Sequence, residues 1–325
     1  MKRISDNAYD RVVAKFASHS LLKRAVDSRS LFSATRSGSD CRIAGMCLLE
    51  AALAAAASGI CPTEATVTLL FDEEVTEAYM REFVKYLDAL AKRINLMFAK
   101  MDLRTVTRGG LGQDLAVASV TVTGENTANA KPKAERFVRK VKVEDLRKAL
   151  KENSVDYSLV LVGLPALEAT VVLRDANAKE LEASYPKHFL DTTELEKALY
   201  ETKTGLLVEL VKAYADTETF VHPVGEHGVF GTLWEMAELL GCGLSVDLKE
   251  IKLEPLTVEI CETMDISPYE AVSGGAVLVV TKEPEEVLGK SEEAGVTARI
   301  IGGLNGGSDR VVINEDEKRF LEKFK

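Results

Sequence analysis

The sequence predicts an α+β fold divided into two domains. Short alternating apolar runs, typical of strands, are mixed with segments whose apolar residues recur at helical spacing. The length of 325 residues is sufficient for about two domains. Between the halves, the segment ENTANAKPKAERF (residues 125–137) is polar, contains a proline and lacks periodicity. We therefore predict domains at residues 1–140 and 141–325.

The first domain is predicted to contain three helices and several strands. Apolar residues three and four positions apart predict helices at residues 6–28, 43–58 and 76–94. Alternation and β-branched side chains predict strands at residues 63–71, 95–103, 103–110 and 114–124. The last two strands are predicted to be antiparallel neighbours, and the polar stretch SATRSGSD (residues 33–40) is predicted to be a loop.

The second domain is predicted to alternate helices and strands. Helical periodicity is found at residues 143–151, 164–176, 179–183, 194–215, 229–241, 257–266 and 283–295. Strand patterns are found at residues 157–163, 217–224, 276–281 and 296–304, followed by a hairpin-like run at 308–317. The stretch SPYEAVSGG (residues 267–275) is predicted to be a loop.

Composition excludes several classes of protein. A formal net charge of -10 and a pI near 5.2 disfavour nucleic-acid binding, and the basic stretch at residues 131–151 also contains acidic residues. Five cysteines without a C-x-x-C pair argue against a disulfide scaffold or a structural zinc site. No apolar run reaches the length of a membrane span, and no targeting segment is recognised. We therefore expect a cytoplasmic protein with no membrane association.

Common catalytic motifs are missing from the sequence. It contains no G-x-x-x-x-G-K-[ST], no G-x-G-x-x-G between a strand and a helix, no G-x-S-x-G and no H-E-x-x-H. No cysteine has the basic or helix-start context that would activate a thiol. Catalytic residues therefore stay unassigned.

The order of several motifs nevertheless resembles a known superfamily. The motifs are DYSLVLVGLPALEATVVL, VHPVGEHGVFGTLWEMAELLGCGLSVDLKEI, ICETMDISPYEAVSGGAVLVVT and AGVTARIIGGL. In this order they are similar to the C-terminal domain of the AIR synthetase (PurM)-like superfamily, in outline closest to HypE-related members. The N-terminal half, with LMFAKMDLRTVTRGGLGQDLAVASVTVTGE, resembles the same superfamily in outline.

The resemblance implies a two-domain PurM-like fold that binds ATP and Mg between its domains. It also implies a homodimer formed through the sheet of an N-terminal α/β domain, and transfer of phosphate from ATP to a small substrate. The positions that match the metal-binding motifs of the superfamily are Asp40 and Asp102, so the resemblance implies that these are the metal ligands. The nucleotide-binding residues would be Glu226, Gly228, Gly231, Ser273 and Gly274.

Several positions depart from the pattern of active relatives. Pro223, Gly225 and His227 replace an aspartate, a threonine and a glycine at the start of the GVFGTLWE helix. Ala54 stands where an aspartate is typical, and both glycines before Asp102 are lost. Each candidate also has a structural alternative: the aspartates as solvated turn residues, the glycines as close-packing positions, and Ser273 as part of a strand-initiating turn.

Two hypotheses about function follow from these departures. The first is an ATP- and Mg-dependent ligase or phosphotransferase that acts on a small substrate. The second is a catalytically inactive homologue that acts as a dimeric binding protein, with an active paralogue as one potential partner.

Overall fold

The computed structural model describes residues 31–107, 110–111, 114–126, 135–152, 156–196, 207–211 and 219–322. The helix predicted at residues 6–28 lies outside the described residues. Contacts divide the chain into two compact units, Met1–Phe137 and Val138–Lys325. Each unit combines helices with one sheet, so the predicted α+β class is confirmed.

Within its described residues, the N-terminal unit contains a four-stranded sheet and two helices. Its elements are β1 (Leu31–Gly38), α1 (Arg42–Ala57), β2 (Ile60–Asp72), α2 (Glu77–Arg93), β3 (Met97–Val106) and β4 (Ala116–Asn126). The strand order is β1-β4-β2-β3, with β2 and β3 parallel and the other pairs antiparallel. Helix α1 lies against β1 and β4, and its alanine-rich surface permits close approach to the sheet.

Two predictions in this unit are wrong. The predicted loop at residues 33–40 largely forms β1, whose Ser33 and Thr35 hydroxyls bond to Thr121 and Ser119 on β4. The run at residues 103–110 is no separate neighbour of β4, because β3 continues to Val106 and β2 lies between β3 and β4. The reason is the helical crossover through α2, which returns the chain parallel to β2 on its free side.

The two faces of this sheet differ in chemistry. Ala65, Val67, Leu69 and Phe71 of β2 are buried on the face that packs against the helices. Phe71 also contacts Phe83 of α2 edge to face, with ring centroids 5.2 Å apart. The opposite face is rich in hydroxyl groups and is at least partly exposed at these residues: Ser33, Thr35, Thr66, Thr68, Ser119 and Thr121.

The C-terminal unit contains a seven-stranded mixed sheet of order β11-β10-β7-β9-β5-β8-β6. Its strands are β5 (Tyr157–Val162), β6 (Phe220–Pro223), β7 (Gly243–Asp247), β8 (Val277–Thr281), β9 (Ala298–Asn305), β10 (Arg310–Asn314) and β11 (Glu317–Phe320). The helices whose bounds lie in described residues are α3 (Glu135–Lys151), α4 (Leu167–Ala176), α5 (Ala178–Ser184), α6 (Thr193–Glu196), α7 (Gly228–Leu240), α8 (Pro255–Thr263) and α9 (Pro284–Glu293).

Most predicted elements of this unit are confirmed within a few residues. Helix α3 begins eight residues before the predicted residue 143. Of the long helix predicted at residues 194–215, the described part is helical at Thr193–Glu196 and at 207–211. Helices α3 and α7 bury their apolar sides with β5, β7 and β8 in one core cluster. Among the described residues, no helix has both the length and the apolar character needed to cross a membrane.

Candidate functional site

The candidate nucleotide-binding residues of the C-terminal unit meet at one loop. Residues 267–275, which we call the strap, connect α8 to β8. The strap lies against the N-terminal ends of two helices, α4 and α7, and hydrogen bonds join it to both. Free N–H groups at helix N-termini bind anions such as phosphate, so the partners of these groups decide what the site can hold.

At α7, the strap and the preceding turn accept three of the N–H groups in the first turn of the helix. The N–H of Phe230 donates to the carbonyl of Tyr269 in the strap at 3.0 Å. The N–H groups of Gly228 and Gly231 donate to the carbonyls of Gly225 and His227, each at 3.1 Å. These amides are bonded to other parts of the chain and not directed at an open space.

Gly228 is required here by the close approach of the strap. Its φ of +61° lies in the left-handed region, which a side chain disfavours. A Cβ added at this position would lie 2.5 Å from the carbonyl oxygen of Tyr269 and 2.7 Å from that of Ala271. The glycine therefore makes room for protein backbone at the place where the resemblance implies a phosphate.

At α4, the strap forms a second set of bonds. The hydroxyl of Ser273 accepts the N–H of Ala166 at 2.7 Å and donates to the carbonyl of Ala271 at 2.9 Å. The N–H of Ala169 donates to the carbonyl of Val272 at 3.3 Å. Ala166 has a φ of +59°, a conformation that costs an alanine about 1 kcal/mol or more. The backbone at the start of α4 is thus held in a strained form that directs its N–H toward Ser273.

A buried carboxylate completes this arrangement. Glu168, in the first turn of α4, is 3% exposed, and its Oε2 accepts the N–H of Gly274 at 3.0 Å. Sequence analysis did not single out Glu168. An acidic residue in the first turn of a helix was the available signal, but it does not distinguish a solvated carboxylate from a buried one.

The structure thus brings together three of the five predicted nucleotide contacts. Gly228, Ser273 and Gly274 all lie at the strap and are bonded to or packed against the chain itself. Gly231 is buried one turn into α7, and Glu226 is exposed on the turn before it. Around the strap, six N–H groups are bonded within the chain and are not free to bind a phosphate: those of Ala166, Ala169, Gly228, Phe230, Gly231 and Gly274.

The predicted metal ligand Asp40 lies just beyond the end of β1 and is bonded to an arginine. Its carboxylate accepts the N–H of Arg42 at 2.8 Å and the Nε of the same side chain at 2.9 Å. A further bond joins Asp40 Oδ2 to the second guanidinium nitrogen of Arg42. Arg42 is buried, so this bidentate pair is shielded from water and holds the start of α1.

The second predicted ligand, Asp102, lies in β3 and also faces an arginine two residues later. Its carboxylate is 2.9 Å from the Nε of Arg104 and forms an ion pair with the same guanidinium at 2.8 Å. Asp40 follows β1 and Asp102 lies on β3, which are the opposite edge strands of the sheet. Three strand spacings separate those edges by roughly 14 Å.

The described residues therefore do not fit a magnesium ion held by this pair of aspartates. Each carboxylate is neutralised by its own arginine, and ligands of one ion must all lie within about 2.1 Å of it. Among the described residues, no group of three or more His, Cys, Asp or Glu side chains could hold a metal ion. At both positions an arginine follows the aspartate by two residues, and this D-x-R spacing was the available signal for an ion pair.

Four of the thiols are poor nucleophiles: those of Cys41, Cys47, Cys242 and Cys261. Burial raises the pKa of Cys47 to about 12 and the pKa of Cys242 and Cys261 to about 11. Burial, with a contribution from Asp40, raises the pKa of Cys41 to about 11. These thiols stay protonated near pH 7, in agreement with the absence of an activating context in the sequence.

Comparisons with known proteins agree with this architecture. Residues 157–314 match the family described as AIR synthase related protein, C-terminal domain. A segment of 90 residues is 36% identical to the phosphoribosylformylglycinamidine synthase subunit PurL of Methanopyrus kandleri. That segment covers 27% of this chain but only 12% of the PurL protein.

Solved structures extend the similarity to nearly the whole chain. The hydrogenase maturation protein HypE in complex with ATP superposes with a TM-score of 0.68 at 13% identity, covering 98% of this chain and 95% of HypE. AaThiL complexed with AMPPCP and TMP superposes with a TM-score of 0.61 at 11% identity, covering 100% of this chain and 99% of that protein. The sequence match shows that residues 157–314 are similar to the AIR synthase related C-terminal domain, and the fold similarity along the chain shows a PurM-like fold.

Proposed function

We propose that this chain is a non-catalytic member of its superfamily, which acts as a homodimeric binding protein and does not transfer phosphate from ATP. The observation on which this proposal rests is the internal bonding of its predicted ligand contacts. The strap accepts the N–H groups of Ala166, Ala169 and Phe230 at the starts of α4 and α7. Arg42 and Arg104 pair with the two predicted metal ligands.

Phosphoryl transfer needs several ligands placed around the phosphates. Divalent cations and backbone donors must neutralise the charge that spreads over the transferred group. A divalent cation at Asp40 would first have to displace the buried guanidinium of Arg42 from this carboxylate and would lose the bidentate bonds of the pair. This energetic cost supports the proposal that the chain retains the fold but does not transfer phosphate.

Nucleotide binding without transfer is the second candidate, and the fold similarity favours it. HypE has been solved with ATP and AaThiL with AMPPCP, and both share this fold. Under this alternative, contacts other than the strap residues and the two aspartates would hold the nucleotide.

The proposed homodimer would form through the hydroxyl-rich face of the N-terminal sheet. This face points away from α1 and α2, and Thr66 and Thr35 on it are exposed. Light scattering is expected to give twice the chain mass of 35.4 kDa. Lysine in place of Thr66 is expected to shift the mass toward the monomer, because it would place two like charges at the dimer centre. A monomeric wild-type protein would contradict this part of the proposal.

None of the five cysteines forms a disulfide, as expected for a protein of a reducing compartment. We therefore propose a cytoplasmic location.

A metal titration tests the loss of the cation site directly. Mn²⁺ replaces Mg²⁺ at carboxylate sites and is observed by electron paramagnetic resonance. We expect no Mn²⁺ site tighter than about 1 mM in the wild-type protein, with the same titration curve for Asp40→Asn and Asp102→Asn. A micromolar site that both substitutions abolish would contradict the proposal and restore the enzyme hypothesis.

A further inference from the structure

Five hydrogen bonds close the strap over the ends of α4 and α7. Three go to α4 or to the residue before it: Ala166 N–H to Ser273 Oγ, Ala169 N–H to the Val272 carbonyl, and Gly274 N–H to Glu168 Oε2. Two go to α7 or to the turn before it: Phe230 N–H to the Tyr269 carbonyl, and Ser273 N–H to the Gly225 carbonyl.

Water cannot readily replace these bonds one at a time. Ser273 is fully buried and Glu168 is 3% exposed, so a broken bond at either would leave a polar group without solvent. Ser273 bonds on both sides, with its N–H directed to the turn before α7 and its hydroxyl to the start of α4. Breaking the contacts at one helix therefore weakens the contacts at the other.

The outer side of the strap is joined to the C-terminal hairpin, β10–β11. Arg319 of β11 forms an ion pair with Glu270 of the strap at 3.3 Å. The same guanidinium lies 5.7 Å from the ring centroid of Phe230 in α7. The Phe230 ring stacks on Tyr269 of the strap, with centroids 5.1 Å apart and planes inclined by 13°. One end of the hairpin thus contacts both the strap and α7.

We propose that the strap is a conformational device that opens and closes as one cooperative unit. In this device the ends of α4 and α7 become accessible together, and the β10–β11 hairpin biases the equilibrium toward the closed form. A ligand or protein partner that needs the amides of either helix end must bind the open form, so its apparent affinity falls by the fraction of open molecules. The inference does not depend on the proposed function, because the opening is measured without nucleotide or metal.

Hydrogen exchange of individual amides, followed by NMR, tests the cooperativity. Glu168→Ala removes the acceptor of Gly274 N–H but makes no direct change at Phe230 N–H. If the strap is one unit, exchange at Ala166, Ala169, Phe230 and Gly274 rises together by about tenfold or more. Exchange in the core strand β5, at Val160, stays unchanged. Faster exchange at Gly274 alone would overturn the proposal.

Three further variants keep the test decisive. Glu262→Ala removes an exposed carboxylate of α8 outside the strap and is expected to change none of the four amides. If Glu168→Ala does not fold, Glu168→Gln retains an oxygen acceptor in the same volume, and a smaller rise in the exchange of the same four amides is expected.

Arg319→Ala, at an exposed position, is expected to raise exchange at these amides without unfolding the sheet. No change at any of them would show that the hairpin does not bias the strap.

Discussion

At the scale of single residues, Gly228 shows that one glycine of a motif is compatible with two different neighbours. A glycine at a helix start permits close approach of a phosphate, and it equally permits close approach of another backbone. The three nearest atoms to a Cβ at this position all belong to the strap. The sequence alone left both alternatives open, because the nearest atoms come from residues about forty positions later in the chain.

Gly228→Ala is therefore expected to destabilise the protein. The left-handed φ and the contact with the Tyr269 carbonyl together should lower the free energy of unfolding by about 2–4 kcal/mol. Gly289→Ala is the matched control, because a Cβ there meets nothing within 4 Å and the residue lies inside α9. The control should be neutral or stabilising by about 0.5–1 kcal/mol in urea unfolding. Equal unfolding midpoints for the two variants would show that the strap does not restrict Gly228.

A buried thiol gives a prediction about alkaline pH. Burial raises the pKa of Cys47 from 9.0 to about 12 in the folded protein. Between these values the unfolded state loses the thiol proton and the folded state keeps it, so stability falls as pH rises. Each such thiol contributes a slope of about 1.4 kcal/mol per pH unit. Below pH 9 this thiol has no effect on the pH dependence.

Cys47→Ala should remove this contribution. Urea unfolding of both proteins is measured between pH 8 and pH 11. Above pH 9 the free energy of unfolding should fall less steeply with pH in the variant, and the difference in slope should correspond to about one proton. The comparison uses slopes, so the packing cost of the substitution does not affect it. Parallel curves for the two proteins would mean that the folded thiol ionises normally.

At the scale of elements, the sequence predicted helices better than strand neighbours. Helical periodicity is local, and α1, α2, α7 and α9 all lie within a few residues of their predicted positions. Strand β1 escaped detection because its outward side chains are hydroxyls and one of its buried residues is an arginine. Arg36 is tolerated there because it pairs with Glu50 of α1 at 3.1 Å, a tertiary contact that no local pattern reveals.

The start of α2 provides a test of a correctly predicted boundary. The hydroxyl of Thr76 accepts the N–H of Tyr79 at 3.2 Å and caps the helix. Thr76→Ala should lower the free energy of unfolding by about 1 kcal/mol, whereas Thr76→Ser should retain most of the cap. Chemical denaturation measures both. Equal losses for serine and alanine would indicate that the methyl group, and not the hydroxyl, stabilises this position.

At the scale of the whole molecule, the fold was predictable from motif order, but the state of the site was not. The resemblance predicted where ligand contacts should lie, and Gly228, Ser273 and Gly274 do meet at the strap. Whether a phosphate or the chain itself satisfies those groups depends on Glu168 and on the path of the strap, which are tertiary features. The bonding state of Asp40 was equally unpredictable, because its ion-pair partner Arg42 had no assigned role in the motif.

The measurement that tests the central claim most directly is a calorimetric titration with a non-hydrolysable ATP analogue, with and without Mg²⁺. Because several amides at the starts of α4 and α7 and both aspartates are bonded internally, we predict no Mg²⁺-dependent binding at micromolar concentrations of the analogue. Asp40→Asn and Asp102→Asn should give the same result as the wild-type protein. Micromolar binding that requires Mg²⁺ and is lost in either variant would contradict the account.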